Sequence, residues 1–184
     1  MMRYMHTKTH RRASRGFTLL ELLIVIAIIA ILSVVLIILI NPAETLRKSR
    51  DAQRISDLGS IKTALGIYLT STSTPVLSGA GVTDTLCTAT GSFNSTTTNA
   101  TAQAVNGTGW IPVNLASLTS GAPISNFPLD PTNSGNLAYW YKCDGTKKTF
   151  EVSAVLESTE YSAKMTTDGG NDSARYEVGT DLTL

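Results

Sequence analysis

Cysteine, histidine and carboxylate side chains are the groups that could do chemistry here, and their placement limits what that chemistry can be. Cys87 and Cys143 are the chain's two cysteines, 56 positions apart. In an exported segment they either form one bridge or stand as two thiols. Both histidines, His6 and His10, precede Gly16 and lie among Arg3, Lys8, Arg11, Arg12 and Arg15. Residues 17–184 therefore offer no imidazole, which excludes Ser-His-Asp and Cys-His sites and most zinc sites from them. All fourteen acidic residues follow Gly16, against ten basic ones, so a net −4 body follows a basic head. That body has no basic face for nucleic acid. It also has no evident pair of acids for general acid–base work, and no catalysis is expected.

One carboxylate stands apart. Phe17 to Ile40 is a run of 24 residues in which only Thr18, Glu21 and Ser33 are not apolar. As a helix it would extend roughly 36 Å, more than the ~30 Å hydrocarbon core of a bilayer. The unopposed basic cluster before the run places residues 1–16 in the cytoplasm and the C-terminal body outside. The run is too long for a secretory signal core. The nearest cleavage candidate behind it, Asn41-Pro42-Ala43, has Asn where a small residue belongs. The apolar segment is therefore expected to be retained, with Glu21 costly in lipid unless it finds a partner.

Arg15-Gly16-Phe17-Thr18-Leu19-Leu20-Glu21-Leu22, behind a short basic leader and ahead of an unbroken apolar helix, resembles the class III signal of type IV prepilins and the related pseudopilins. The resemblance is close through about Leu69 and looser beyond. It implies cleavage by prepilin peptidase between Gly16 and Phe17 and methylation of the new Phe17 amine. Chemistry agrees: glycine leaves the backbone before the bond unobstructed and resists helix formation. It further implies that Glu21 pairs with the Phe17 amine of a neighbouring subunit. Such a pair sets assembly register rather than raw stability, because desolvation offsets much of the attraction. The local alternative is that Glu21 favours the helix N-terminus. The partners implied are identical or related pilin subunits, the peptidase, a membrane assembly platform and, before assembly, lipid. One departure stands out: many pilins have a proline four residues before Pro42, where this chain has Ile38.

The remaining elements follow from pattern. Asn41-Pro42 should interrupt the helix just beyond the membrane, with Asn41 as cap and Pro42 as first residue of a second segment. From there Leu46, Ile55, Leu58, Ile61, Leu65, Tyr68 and Leu69 recur at helical spacing and should cover a sheet. Glu44 with Lys48 and Arg47 with Asp51 are one turn apart, on a face expected to be solvated. Residues 71–109 are rich in Ser, Thr, Gly and Asn and read as an exposed loop. They include three Asn-x-Thr/Ser matches, at Asn94, Asn99 and Asn106. Residues 137–141 and 150–156 alternate around Asp144-Gly145 as a hairpin, with Phe150, Val152, Ala154 and Leu156 on one face. Strands are also expected at 162–165 and 175–178. Pro128-Leu129-Asp130-Pro131 and Thr167-Asp168-Gly169-Gly170-Asn171-Asp172 are similar to loops of major pseudopilins, some of which bind calcium. Oxygen-rich loops suit that ion, yet the composition is equally that of an ordinary turn. No residue is assigned as a metal ligand.

The fold class expected is α+β: a long N-terminal helix, its transmembrane half followed by an amphipathic half, packed on a small antiparallel β-sheet. The segments are 1–16 leader, 17–40 transmembrane and filament-core helix, 41–70 outer helix, 71–109 loop and 110–184 sheet head. The function implied is a structural subunit of a type IV pilus-like surface filament. The alternatives are a major pseudopilin of a type II secretion system or a single-pass anchored receptor or enzyme domain.

Overall fold

The computed structural model describes residues 16–79, 87, 92–96 and 102–184. The basic leader through Arg15 and the Asn99 match lie outside them. The fold is α+β: a long apolar helix, a second helix and a small antiparallel sheet. The chain divides near Pro42 into two units. The first holds helix α1, Leu19–Ile40. Thr18 caps it with an extended backbone, φ −78° and ψ 149°, and its hydroxyl oxygen accepts the Glu21 N–H. No proline or glycine interrupts the helix. It ends at Asn41, whose left-handed backbone (φ 44°) serves as its C-cap, a conformation Asn tolerates better than most residues. Pro42 then opens helix α2, Pro42–Ser71, as its first residue, where a missing N–H costs nothing. Asn41 thus ends α1 and stands immediately before the first residue of α2.

The second unit is the head. Its sheet is antiparallel throughout, in the order β1 (Ser92–Asn94), β2 (Trp140–Asp144), β3 (Thr149–Ala154), β4 (Tyr176–Gly179). The hairpin turns where Asp144-Gly145 suggested, with Asp144 opposite Thr149. The Asp144 carboxylate accepts the Thr146 and Lys147 N–H groups and holds the turn. The strand before it starts at Trp140 rather than Leu137, because residues 134–137 close their own turn through Ser134 and Leu137. The strand expected at 162–165 is instead a 3-10 helix, Ser162–Thr166. Among the described residues no strand pairs with it, and the Ser162 N–H donates to the Ser158 carbonyl instead.

The core gathers Leu58, Ile61, Ala64, Leu65 and Tyr68 of α2 with Tyr141, Phe150, Val152 and Ala154 of the sheet and with Trp110, Ile111 and Phe127. Pattern reading carried the apolar stripe of α2 back to Leu46. In the structure Leu46 is 61 % exposed, and the buried stripe continues as Arg54 and Asp51. The spacing 51-54-58-61-65-68 keeps one helix face throughout. The expected solvated face is thus partly interior. Arg54 has no exposed side-chain surface and donates to both oxygens of Asp130, at 2.6 and 3.0 Å, to Asp51 at 2.8 Å and to Glu157 at 2.6 Å. Asp51 also accepts the Ser158 N–H and hydroxyl. A buried guanidinium is tolerable only with such a set of acceptors. The expected pairs are replaced: Lys48 meets Glu160 at 2.6 Å, Arg47 lies near Glu44, and Glu44 accepts from Thr159.

The expected exposed loop, residues 71–109, is in part interior. Leu77, Cys87, Ser95 and Ala102 are buried, and Phe93 of β1 packs against the core. Polar side chains make this workable by supplying local bonds: Ser95 exchanges main-chain and hydroxyl bonds with Tyr139, and Tyr141 donates to the Leu77 carbonyl.

Cys87 and Cys143 form a disulfide, with Cα atoms 4.8 Å apart. It anchors the strand β2 end to a region with little apolar content of its own. Closing a 56-residue separation is worth about 4 kcal/mol in the chain-entropy treatment. The Cys87→Ser/Cys143→Ser double variant is therefore expected to melt about 10 °C or more below the parent. Equal melting temperatures would show that the bridge does not staple the head.

Candidate functional site

Gly16, Phe17 and Thr18 are non-helical and lead directly into α1. Phe17 is 76 % exposed. A Cβ at Gly16 would meet nothing within 4 Å, so packing among the described residues does not require glycine there.

Thr18 and Glu21 form a local pair. The Glu21 N–H donates to Thr18 Oγ1 at 3.2 Å, and the Thr18 hydroxyl lies 3.4 Å from Glu21 Oε2. Thr18 was not singled out in the sequence, although Thr-x-x-Glu ahead of an apolar run is a capping-box signature. The pair starts the helix and places Glu21 in its first turn, where the macrodipole favours an anion. Beyond it, Leu19–Ile37 has a mean hydropathy of 3.2 and no residue buried within the chain. Its apolar side chains face outward on every side, and Ser33 satisfies its hydroxyl on the Ile29 carbonyl. This helix is long and apolar enough to cross a membrane.

Residues 11–37 match the family model described as the prokaryotic N-terminal methylation motif. The chain carries a class III prepilin-like signal. No curated protein and no solved structure matches it. The matched stretch begins before Gly16 and ends at Ile37, so it covers the leader's last basic residues, the candidate bond, Glu21 and the membrane-length helix. The prepilin-like signal supports processing by a prepilin peptidase. A disulfide-closed head joins this signal to the expected fold, with Cys87 and Cys143 brought together as one of the two sequence alternatives had it.

The two loops likened to pseudopilin loops have their oxygens engaged within the chain. Asp130 receives Arg54 and the Thr132 and Asn133 N–H groups. Asp168 receives the Gly170 and Glu177 N–H groups. Among the described residues no group of three or more His, Cys, Asp or Glu side chains is placed to hold a metal ion. Asn94 and Asn106 both accept the N–H and hydroxyl of the threonine two residues on, which is an ordinary Asx turn.

Sequence reasoning missed the Arg54 cluster and its partners Asp51, Asp130 and Glu157. Hydrogen bonds from Arg50 and then Arg54, working against partial burial, hold the Glu157 carboxyl down at about 2. The only available hint was Arg and Asp at positions continuing the apolar stripe.

Proposed function

We propose that this chain is a structural, non-catalytic subunit of a type IV pilus-like surface filament, matured by cleavage between Gly16 and Phe17 and methylated on the Phe17 amine. The observation that carries the reading is the methylation motif at residues 11–37 leading without interruption into a helix that exposes apolar side chains all round. A helix of this kind is stable in lipid, and equally stable among copies of itself once extracted. The head stays outside the cytoplasm, where its disulfide persists.

In this reading Glu21 has two successive partners. In the membrane-held subunit it bonds Thr18. In the filament its carboxylate takes the Phe17 amine of the next subunit. A carboxylate without such a cation would be costly among apolar helices, so only one axial step satisfies it.

The test is the mass of the protein from cells and from sheared surface material. The expected mature chain begins at Phe17 and carries one methyl group on its amine. A surface form that retains residues 1–16 would remove the reading. Glu21→Ala should be inserted and processed yet give few or no filaments. Filaments at parental amounts would strip Glu21 of its register role. Filament-forming protein found only in a periplasm-spanning export assembly, and absent from sheared material, would place the chain among the pseudopilins instead.

A further inference from the structure

Strand β3 is buried on both faces. Phe150, Val152 and Ala154 point into the core, while Glu151 and Ser153 point the other way and are only 1 % and 2 % exposed. The register places Glu151 between Lys142 of β2 and Gly179 of β4, and Ser153 between Trp140 and Glu177. Glu151 and Glu177 are therefore diagonal neighbours on the outer face, and Glu177 is 1 % exposed. Neither Glu151 oxygen nor Glu177 Oε1 has a hydrogen-bond partner among the described residues. The nearest cation, Lys142 Nζ, is 3.5 Å from Glu151 Oε1 and donates to the Leu184 main-chain oxygen at 2.6 Å.

A cover lies over this pair. Gly170 is so close to the Glu177 carboxylate that a Cβ there would collide with it. The Asp172 N–H donates to Glu177 Oε2 at 3.0 Å. Arg175 lies over the Trp140 ring, 4.9 Å from its centroid, and approaches Asp172 at 3.9 Å. Arg175 Nη1 and Trp140 Nε1 are likewise buried and without partners among the described residues.

We propose that Glu151 and Glu177 share one proton and that its loss as pH rises loosens the 170–175 cover, making the outer face of the head a pH-sensitive surface. Two buried carboxylates side by side cannot both ionise cheaply without donors. With one proton present, the Glu151 hydroxyl donates to Glu177 and satisfies both. Burial, opposed by Lys142 and reinforced by Glu177, pushes the Glu151 carboxyl up to about 7. The groups that face the pair are Lys142 from β2, Arg175 and Asp172 from the cover, and Asp168 at the Glu177 N–H. Lys62 of α2, Lys164 of the 3-10 helix and Tyr176 line the cavity that Glu177 also borders. None is a histidine. Once both acids are charged, the missing donors are supplied by water, which enters only if the cover lifts.

The sign follows from the raised value. Between the ordinary 4.5 and about 7 the folded chain holds a proton that the unfolded chain has lost. Stability therefore falls as pH rises through that window and levels off above it.

The experiment compares the full chain and Glu151→Gln in detergent micelles. Glutamine keeps the shape of the protonated acid and supplies a donor to Glu177. The parent should lose about 5 °C of melting temperature between pH 5 and pH 8. Its Trp140 fluorescence should change with a midpoint near pH 7 as Arg175 leaves the ring. Glu151→Gln should show neither change. A parent whose melting and fluorescence are flat across the window overturns the proposal, as does an unaltered pH profile in Glu151→Gln. Should the variant fail to fold, infrared spectroscopy of the parent decides. A protonated-carboxyl stretch present at pH 6 and gone at pH 8 supports the shared proton, and its absence at pH 6 overturns it.

Discussion

Gly16→Leu is expected to leave the head folded and the chain inserted in the membrane, and to abolish maturation. The structure separates these effects. A Cβ at Gly16 meets nothing within 4 Å, so among the described residues no close contact opposes the substitution. Residues 16–18 are non-helical and precede α1, so leucine at position 16 lies outside the helix. What leucine changes is access. The bond before Phe17 must enter a protease cleft as bare backbone, and a branched side chain beside it obstructs that approach. Precursor of full length should accumulate in the membrane fraction, mature chain should fall to a few per cent or less of parent, and sheared filaments should disappear. Gly16→Ala should fall between the two. Blotting of membrane and sheared fractions, with masses taken on both, checks the outcome. A Gly16→Leu chain maturing at Phe17 in parental amounts would take the role away from Gly16.

Arg54→Ala should be the most damaging single change in the head. Its guanidinium bridges Asp51, Asp130 and Glu157 with no exposed surface of its own. Burial opposes the charge, and the hydrogen bonds to Asp130, Glu157 and Asp51 outweigh it and raise the guanidinium above its ordinary value. Removing it leaves two fully buried carboxylates without their cation, a change worth about 3–5 kcal/mol. That is a large share of the about 5–15 kcal/mol that holds a domain folded. Arg54→Lys should recover only part, because an ammonium cannot match both Asp130 oxygens. Thermal melting of the disulfide-intact protein measures the loss, and a shift under about 2 °C would show that the cluster is not what fixes α2 to the head. The same cluster sets an acid limit. Glu157 is held at about 2 against an ordinary 4.5, so its contribution is complete above 4.5 and is lost as pH falls from there toward 2. In Arg54→Ala this acid loss should shrink without vanishing, since Arg50 still holds Glu157 at 2.9 and 3.0 Å.

By itself the sequence determined the features whose causes are local. An unbroken apolar run is a helix with outward-facing side chains whatever follows it, because backbone bonds close within four residues and lipid suits every face. Thr18 and Glu21 start that helix, Asn41-Pro42 divides it, and Asp144-Gly145 turns the hairpin, each through contacts one to four residues away. The tertiary structure alone decided which polar groups go inside. Asp51 and Arg54 look like any charged helix surface until Asp130 and Ser158 arrive from 76 and 107 positions away to accept and donate. Leu46 reads as core and is exposed, because the head meets that turn of α2 on the side of Glu44 and Lys48, through Thr159 and Glu160, and Leu46 points the other way. Leu77, Phe93 and Ser95 sit in a Ser/Thr-rich stretch that composition marks as exposed, yet Tyr139, Tyr141 and the disulfide draw them to the sheet. Glu151 and Glu177 alternate outward as strand period requires, and only the 170–175 segment makes that outer face an interior. Periodicity reports which residues share a face. Whether that face meets water depends on chain segments far away in sequence, and those are brought together only by folding.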